Sequence, residues 1–396
     1  MRVLVELFDK NPIENVLGAC AFKPDLIVYL CDVRDATVFK ESAIYRLFKM
    51  RKLKAMPRFY YLNTADPAEI KRVLAAVMKD YPGCVFDFSG GRDLILLLAG
   101  AYCIPQGAPA YYIDFTYSRI INIQGCEEFA QKFVMPTFTA EELFALAGAS
   151  IKGSGHYTHG EVTEAFEDQA LETWEIVQRN PKAWADFVAY LQTIGAGTAI
   201  TTLTVSGPAT LPGGQRSNLP ILEKLRHHGL LAGFKQRGKQ VEITFSSPLH
   251  KKCLLNQGIW LELYCYIIAK RSGLFTDVRT SLVVDWDGPD GGPDATKNEI
   301  DVFLMKGAFP VFISCKMGVP SPLAVSEIKL LSSKFGGGHS STVLVTGERL
   351  GDEHRALKNR AADVGVSLLD NSMLAPQILT EKLGIAASAE QKRHFL

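Results

Sequence analysis

Two charged residues in the C-terminal third of the chain interrupt apolar runs that otherwise have the pattern of buried strands. Asp301 lies within residues 298–304, and Lys316 ends residues 310–316. A short turn separates the two runs, so they are predicted to pair as an antiparallel hairpin. In that hairpin Asp301 lies opposite residues 314–315, and its carboxylate shares one small site with the Lys316 ammonium group.

The residue types at this predicted site suit phosphodiester hydrolysis. In that reaction a divalent cation activates water and neutralises developing charge, while a nearby lysine orients the water and stabilises the transition state. Strand alternation turns Ser314 to the face of Lys316 and Cys315 away from it, so the site offers hard oxygen ligands without sulfur or imidazole. Such ligands favour Mg²⁺ or Mn²⁺ over Zn²⁺.

An acid and a lysine across a hairpin can also form a simple surface ion pair. Two features favour the functional interpretation of Asp301 and Lys316. Their strands are apolar enough to be buried, where an unpaired charge is costly. The glycine- and aspartate-rich residues 286–297, which come just before, have the composition of an active-site rim.

The N-terminal third predicts a second region, built from apolar runs that alternate with helical patterns. This order is typical of a parallel, doubly wound, Rossmann-like sheet, here ending in an antiparallel edge hairpin. The predicted strands are 3–7, 26–30, 58–62, 84–88, 110–116 and 119–123, with helices near 12–20, 37–50, 67–79 and 91–103.

Loops after the first and fourth of these strands are candidates for binding an anion. Residues 8–15 and 89–93 each lead into a helix, and helix N-termini at the carboxyl edge of a parallel sheet present N–H groups to phosphate. Gly90 and Gly91 also fit a simpler role, in which they only permit a tight turn from strand to helix. No Gly-x-Gly-x-x-Gly motif follows the first strand, which argues against NAD as the ligand.

The middle of the chain has the pattern of a winged helix. Helices are predicted at 182–194 and 218–228, with an irregular stretch between them, and two strands then meet at Arg237-Gly238. Between Arg216 and Lys252 there are eight Lys or Arg against two acids, in a chain whose net charge is only +1. This basic module could guide a nucleic-acid strand or transmit movement between the two ends of the chain.

The remaining residues predict a mixed α/β nuclease core. A helix at 256–271 comes first, and the predicted strands are 278–285, 299–304, 310–315, 342–346 and 366–369, with helices at 322–334 and 353–364. The segment from Gly153 to Gly160 is polar and rich in glycine, so it is predicted to be a linker or a loop over a ligand.

The C-terminal unit resembles the PD-(D/E)xK pattern of restriction-endonuclease-like nucleases. The resemblance rests on Glu299-x-Asp301-x12-Ser314-x-Lys316 and on a preceding helix that bears Glu262. It implies that Asp301, Lys316 and Glu262 are catalytic. It also implies that Asp301, Glu262 and Glu299 are the metal ligands. Glu262 fits equally well a solvated position on an amphipathic helix.

The sequence departs from that pattern at Ser314, where the pattern has Asp or Glu. A carboxylate must therefore come from elsewhere, or the site is weakened. Glu299, on the same strand face as Asp301, and Glu327, on the helix after the lysine, are the candidate substitutes.

The N-terminal loops at residues 10–15, 23–25 and 89–92 resemble those of CRISPR-associated Rossmann-fold (CARF) sensor domains. Sensor and nuclease together resemble the CARF-fused effectors of type III CRISPR systems. Such effectors are homodimers that bind cyclic oligoadenylate, usually cyclic tetra-adenylate, and then cleave nucleic acid in a metal-dependent domain. The implied ring-binding residues are Asp9, Lys10, Asn11, Pro12, Asn15, Ser89, Gly90, Gly91, Arg92 and His156. The implied domains are a CARF sensor at 1–150, a helical and winged-helix-like connector at 151–252 and the nuclease at 253–396.

Composition limits the location and the cofactor class. The eight cysteines form no Cys-x-x-Cys pair and lie mostly in apolar patterns, so they are predicted to be buried thiols in a reducing cytoplasm. No apolar run approaches the roughly 20 residues that a membrane-spanning helix needs. No signal-peptide pattern is present at the N-terminus.

Three functional hypotheses follow. The leading one is an endonuclease, activated by a cyclic oligoadenylate, that cleaves single-stranded RNA or DNA and nicks duplex DNA. The second is a constitutive restriction-type endonuclease. The third is a ligand-responsive DNA-binding regulator whose nuclease has degenerated because of Ser314.

Overall fold

The structure is a computed structural model of the 396-residue chain and describes residues 1–35, 38–115, 117–154, 161–288 and 297–388. Its N-terminal strands are β1 (Val3–Leu7), β2 (Leu26–Asp32), β3 (Met56–Leu62), β4 (Val85–Asp87), β5 (Ala110–Asp114) and β6 (Arg119–Gln124). The helices among them are α1 (Glu14–Phe22), α2 (Val38–Met50), α3 (Pro67–Asp80) and α4 (Asp93–Cys103).

The described N-terminal strands form one sheet in the order β3-β2-β1-β4-β5-β6, in which only β6 runs antiparallel to its neighbour. The predicted parallel sheet with an edge hairpin is confirmed. Every residue of β1 and β2 is buried, because α1 and α2 cover one face of the sheet and α3 and α4 cover the other. Parallel strands that are covered on both faces have continuous apolar sequences, which is why these runs were recognisable.

The next elements connect the two ends of the molecule. They are α5 (Glu127–Lys132), α6 (Ala140–Leu146) and β7 (Ser150–Ser154). Thr139 begins α6 with a capping box, in which its hydroxyl accepts from the Glu142 N–H and the Glu142 side chain accepts from the Thr139 N–H. Glu142 also forms an ion pair with Arg51, the residue after α2, at 2.7 Å, which ties α6 to the N-terminal domain.

The central module consists of helices and a small sheet. Its elements are α7 (Glu164–Arg179), α8 (Pro181–Ile194), β8 (Thr204–Pro208), α9 (Leu219–His227), β9 (Leu231–Arg237), β10 (Gln240–Phe245) and α10 (Pro248–Leu254). The described strands have the order β8-β10-β9, so the predicted two-stranded wing has a third strand. That strand lies in the stretch that the sequence predicted as irregular.

The basic character of this module is weaker at the surface than in the sequence. Lys251 is fully buried and donates hydrogen bonds to Thr198 Oγ1, Ala199 O and Thr202 O, at 2.8–2.9 Å. Arg226 forms an ion pair with Glu223 on the same helix. Arg237 and Lys239 at the tip of the wing are exposed.

The C-terminal part forms the second large sheet. Its elements are α11 (Ile259–Arg271), β11 (Asp277–Asp285), β12 (Lys297–Lys306), β13 (Phe309–Lys316), α12 (Pro322–Gly336), β14 (Ser341–Thr346), α13 (Arg355–Asp363), β15 (Val366–Leu369) and α14 (Pro376–Ala386). Within the described ranges the strand order is β15-β14-β13-β12-β11-β7. The predicted order of strands and helices in this part is confirmed.

Strand β7 changes the interpretation of the region around residue 150. Gly153 and Ser154 were predicted to begin a linker or a loop, but they belong to a strand that pairs antiparallel with β11. Residues 155–160 lie outside the described residues, and so does the predicted ligand contact His156. The predicted domain boundaries remain predictions, since a strand from before residue 155 completes the C-terminal sheet.

The two ends of the chain share an apolar core. One buried cluster contains residues of β1, β2, α1 and α2 together with Phe303, Phe312 and Phe335 of the C-terminal half. A separate cluster joins α11 to the winged module and to the opposite face of the C-terminal sheet. Side chains of the N-terminal and C-terminal halves therefore pack within one buried cluster, in which α1, α2 and α6 take part.

All eight cysteines are buried and unpaired, as predicted. In the part of the chain that the structure describes, no helix combines the length and apolar character that a membrane crossing needs.

Candidate active site and ligand-binding loops

The hairpin of β12 and β13 brings Asp301 and Lys316 together. Val302 pairs with Ile313, which places Asp301 opposite Ser314, and Gly307 makes the turn with a φ of +64°. Asp301 Oδ2 accepts from Ser314 Oγ at 3.1 Å, from Cys315 N at 2.6 Å and from Lys316 Nζ at 3.4 Å. The predicted convergence is confirmed in geometry, while the catalytic roles remain predictions.

Glu262 lies close to this pair and is buried on α11. Glu262 is only 8% exposed, which excludes the alternative that it occupies a solvated position on an amphipathic helix. Burial raises the pKa of Glu262 well above its ordinary value, and the charges of Asp301 and Glu299 raise it further against the opposing effect of Lys316. Glu262 Oε2 is buried and has no hydrogen-bond partner among the described residues.

An irregularity in β11 positions the acids, and no pattern in the sequence indicates it. Ser281 has a φ of +52° although it lies within a strand, and it faces Asp301 at a point where the pairing of β11 and β12 is interrupted. Ile300 and Val302 would share a face in a regular strand, but they pack into different cores. The Ser281 hydroxyl donates to Glu299 Oε1 and Thr280 Oγ1 donates to Asp301 O, which hold the two acidic residues in place.

Ser314 and Glu327 occupy contrasting places. Ser314 contributes a hydroxyl that binds Asp301, so the residue that replaces the expected acid orients another carboxylate. Glu327 lies on the exposed face of α12. Among the described residues no hydrogen bond or ion pair joins Glu327 to Asp301, Lys316 or Glu262.

The carboxylates fit a hard divalent cation. No group of three His, Cys, Asp or Glu side chains within the described ranges is arranged as a complete metal site. Mg²⁺ is usually held by only one or two carboxylates, with waters and substrate phosphates completing its shell. Glu262 provides a buried oxygen without a partner, and all three bonds to Asp301 fall on Oδ2 and leave Oδ1 outside them. The donor set therefore matches Mg²⁺ or Mn²⁺.

At the carboxyl edge of the N-terminal sheet, Asp9 joins the two predicted ligand loops. Its Oδ1 accepts from Asn11 N at 2.8 Å and its Oδ2 accepts from Gly91 N at 3.0 Å. Asn15 fixes the same loop, because its side chain accepts from Asp9 N and donates to Asp9 O. The loops after β1 and β4 thus form one hydrogen-bonded unit, as expected from their position at the same edge of a parallel sheet.

This unit differs from the predicted phosphate cradle in one respect. Three of its N–H groups already donate to carboxylates, since Asn11 N and Gly91 N donate to Asp9 and Ser89 N donates to Asp87. The Arg92 guanidinium lies 3.7 Å from the Asp32 carboxylate. The loop is therefore braced by acids. The exposed cations of the predicted set are Lys10 and Arg92, and Pro12 is half-buried.

Beneath these loops lies a buried acid cluster that the sequence analysis missed. Glu6 of β1, Asp87 of β4 and Tyr111 of β5 direct oxygens at Gly18 of α1, where an added Cβ would lie 2.4, 2.4 and 2.8 Å from them. Burial raises the pKa of Asp87 to about 6 and raises that of Glu6 well above its ordinary value. The available signal was an acidic residue in the middle of an otherwise apolar strand.

The fold and site together define a two-sheet α/β protein, with an acid–lysine cluster in one sheet and braced loops at the carboxyl edge of the other. Comparison with protein-family models and with curated proteins finds no match. Solved structures share the fold over nearly the full length. Protein VC1899 from Vibrio cholerae has a TM-score of 0.75 at 18% identity, covering 98% of this chain and 99% of that one.

Can2 from Sulfobacillus thermosulfidooxidans, solved in complex with cyclic tetra-adenylate, has a TM-score of 0.70 at 15% identity and covers 98% of this chain and 100% of its own. A type III CRISPR defence DNA nuclease activated by cyclic oligoadenylate reaches only 0.42 at 15% identity, over 88% of this chain and 46% of its own. At these identities the likeness to VC1899 and Can2 shows a common fold.

Proposed function

We propose that this chain is a metal-dependent endonuclease that a cyclic oligoadenylate activates, in the manner of the CARF–nuclease effectors of type III CRISPR defence. The observation that carries the proposal is the convergence of Glu262 of α11 with Asp301 and Lys316 of the C-terminal sheet, in a chain whose N-terminal sheet ends in a pair of braced loops. The full-length fold similarity to Can2, whose structure contains cyclic tetra-adenylate, supports the choice of ligand.

The proposed chemistry assigns a role to each side chain of the cluster. Asp301 and Glu262 hold the cation, with Glu299 beside them. When bound, Mn²⁺ or Mg²⁺ supplies an activated water and neutralises charge on the scissile phosphate. Lys316 orients that water and stabilises the negative charge that develops in the transition state. Ser314 and the Cys315 N–H hold Oδ2 of the Asp301 carboxylate and leave Oδ1 outside these bonds.

The proposed activator site lies at the carboxyl edge of the N-terminal sheet. Its members are Asp9, Lys10, Asn11, Pro12, Asn15, Ser89, Gly90, Gly91 and Arg92, of which Asp9 and Gly91 are in direct contact. A ring with two-fold symmetry fits a two-fold dimer, so we propose that a homodimer in the cytoplasm binds one cyclic tetra-adenylate molecule. The exposed wing residues Arg237 and Lys239 either guide single-stranded nucleic acid or transmit closure.

A second candidate is favoured by one observation. Ser314 stands where a nuclease of this pattern has a carboxylate, and the central module has the wing of a DNA-binding domain. A ligand-responsive DNA-binding regulator with an inactive nuclease would share both features. Glu262 argues against that candidate, because its pKa is perturbed by burial, by Asp301 and by Lys316, whose side chain is accessible, and a perturbed acid beside an accessible lysine is typical of a functional site.

The test is incubation of the full-length protein with Mn²⁺ and labelled single-stranded RNA, single-stranded DNA or duplex DNA, with and without cyclic tetra-adenylate. We expect cleavage only when the ring is present. Cleavage of duplex DNA without the ring would identify a constitutive restriction-type enzyme. Specific duplex binding without cleavage under any of these conditions would identify the regulator.

A further inference from the structure

The turn that ends helix α12 in the C-terminal half makes direct hydrogen bonds to the sensor loop of the N-terminal half. Gly338 N donates to Asn11 Oδ1 at 2.8 Å. His339 Nε2 lies 2.6 Å from Glu14 Oε1, which also accepts from Asn11 Nδ2 at 2.9 Å. These four residues close a small network, named here the interdomain latch, across more than 300 positions of sequence.

The latch is anchored in packed surroundings. The His339 ring stacks on Phe115 with the ring centroids 3.9 Å apart and the planes inclined by 10°. Phe115 in turn meets Phe309 of β13 edge to face at 6.2 Å. Glu14 is 7% exposed at its side chain and His339 is 22% exposed, so water competes weakly with their contact. A partly desolvated contact of this kind has a geometry that small movements would disturb.

Helix α12 connects the latch to the candidate catalytic lysine. Lys316 ends β13, a short loop leads to Pro322, and α12 then runs without interruption to Gly336 beside the latch. After the latch the chain enters β14, the parallel neighbour of β13, where Lys316 pairs with Thr346. The segment between two adjacent strands of the nuclease sheet therefore has its far end held by the sensor loop.

A ligand at the sensor loop would act on this contact. Both polar atoms of the Asn11 side chain are engaged, one with Gly338 and the other with Glu14. Asn11 belongs to the proposed activator site, so a ring atom that bonds to it must share or displace a latch contact. Glu14 places a carboxylate where the phosphates of a nucleotide would approach, and His339 Nε2 holds that carboxylate at 2.6 Å.

This inference rests on the proposed function. We propose that the interdomain latch carries the activation signal from the sensor loop to the nuclease centre, with His339 as a positioning residue. Binding of the ring at Asn11 changes the hydrogen bonds of the latch, and these bonds determine the position of α12. The position of α12 in turn determines where Lys316 lies relative to Asp301. The coupling therefore operates within one chain, in addition to any rearrangement between two copies. An allosteric coupling is defined by such a differential contact at both sites.

The test uses two variants on the nuclease side, so that every side chain of the proposed ring site stays intact. His339→Ala removes the ion pair and the stack on Phe115. Gly337→Ala adds a Cβ that would lie 2.6 Å from Asn11 Oδ1, at a φ of +62°. The readouts are the ratio of cleavage rates with and without cyclic tetra-adenylate, the ring affinity by calorimetry and the melting temperature.

We expect the activation ratio to fall at least about fivefold in both variants, the lower end of typical coupling strengths. His339→Gln should restore part of it, because the amide can donate to Glu14. The matched control is His228→Ala. His228 also lies 2.6 Å from a glutamate, Glu172, at 22% side-chain exposure, but it belongs to the central module. The control should leave the ratio unchanged.

The outcomes separate the two proposals. An activated wild type whose His339→Ala and Gly337→Ala variants are activated to the same ratio would overturn the latch and leave the proposed function standing. A wild type that binds the ring and shows no change in cleavage would overturn both. The activation ratio could also fall only because the variants have a lower melting temperature. If His228→Ala then shows the same fall in the activation ratio, that result would also count against the latch.

Discussion

The molecule contains two acid clusters that differ in what surrounds them. In the N-terminal sheet Glu6, Asp87 and Tyr111 converge on Gly18 with no cation among them, and all three residues are at most 2% exposed. In the C-terminal sheet Asp301, Glu299 and Glu262 lie beside Lys316, whose side chain is 44% exposed.

This difference assigns the two clusters to different roles. A sealed cluster without a cation relieves its repulsion by keeping a proton, and burial raises the pKa values of both of its carboxyl groups accordingly. The open cluster has a lysine and a route to solvent, so a substrate and a cation can reach it. Burial of acids is therefore common to both, while access and charge compensation distinguish a candidate site from a structural element.

The first prediction compares two acids of the C-terminal half. Glu262→Gln should reduce activated cleavage by about 10–100-fold, the usual loss when a group that supports a metal site is removed. Glu327→Gln is the matched control, because Glu327 is exposed on α12 and should leave the rate unchanged. Initial rates on labelled single-stranded DNA measure both. Equal losses in the two variants would show that Glu327 takes the place of the missing acid.

The second effect tests how tightly the sealed cluster is closed. Gly18→Ala should destabilise the protein by about 1–3 kcal/mol or more, because the added methyl group overlaps two carboxyl oxygens and a phenol oxygen. Gly100→Ala is the control, since Gly100 is also helical and its Cβ would meet nothing within 4 Å. In denaturant unfolding, Gly100→Ala should leave the free energy of unfolding unchanged or raise it. A tolerated Gly18→Ala would mean that the cluster has room for water.

The smallest effect concerns the proton that the sealed cluster retains. Because the folded pKa of Glu6 is raised, its stability contribution is fully present below the unfolded pKa of about 4.3 and is lost as pH rises towards the folded value. Glu6→Gln removes this loss of stability. Between pH 5 and pH 8 the free energy of unfolding of the variant should therefore rise by on the order of 1 kcal/mol relative to that of the wild type.

The control for that pH series is Glu128→Gln. Glu128 is exposed, and its pKa is lowered by a hydrogen bond from Lys132, so it titrates below this range. Unfolding curves at several pH values measure both variants. A gain for Glu6→Gln that does not change between pH 5 and pH 8 would contradict a raised pKa.

Most of the fold was predictable because it follows from local patterns. Strands buried on both faces, such as β1 and β2, have continuous apolar sequences. In the hairpin of β12 and β13, counting residues from the turn at Gly307 places Asp301 opposite Ser314. The candidate centre was predictable for the same reason, since its main residues lie within one hairpin.

What the sequence did not reveal depends on contacts between distant parts of the chain. The pairing of β7 with β11 joins residues about 130 positions apart, and no pattern in Ser150–Ser154 specifies that partner. Ser281 has a positive φ, and because the residue is not a glycine, its identity does not indicate that conformation. Two further contacts also join residues that are distant in sequence, so they appear only once the chain is folded. They are the hydrogen bond from Gly91 N to Asp9 and the contact of His339 with Glu14.

The most direct test of the central claim is the rate of activated cleavage by Asp301→Asn, with binding of cyclic tetra-adenylate measured on the same preparation. Asparagine keeps the size of the side chain and removes the charge at the open cluster. We predict a loss of at least about 10²–10³-fold in cleavage, as for other groups that stabilise transition-state charge, with unchanged ring affinity. Full activated cleavage by Asp301→Asn would contradict the assignment of the active site to this cluster.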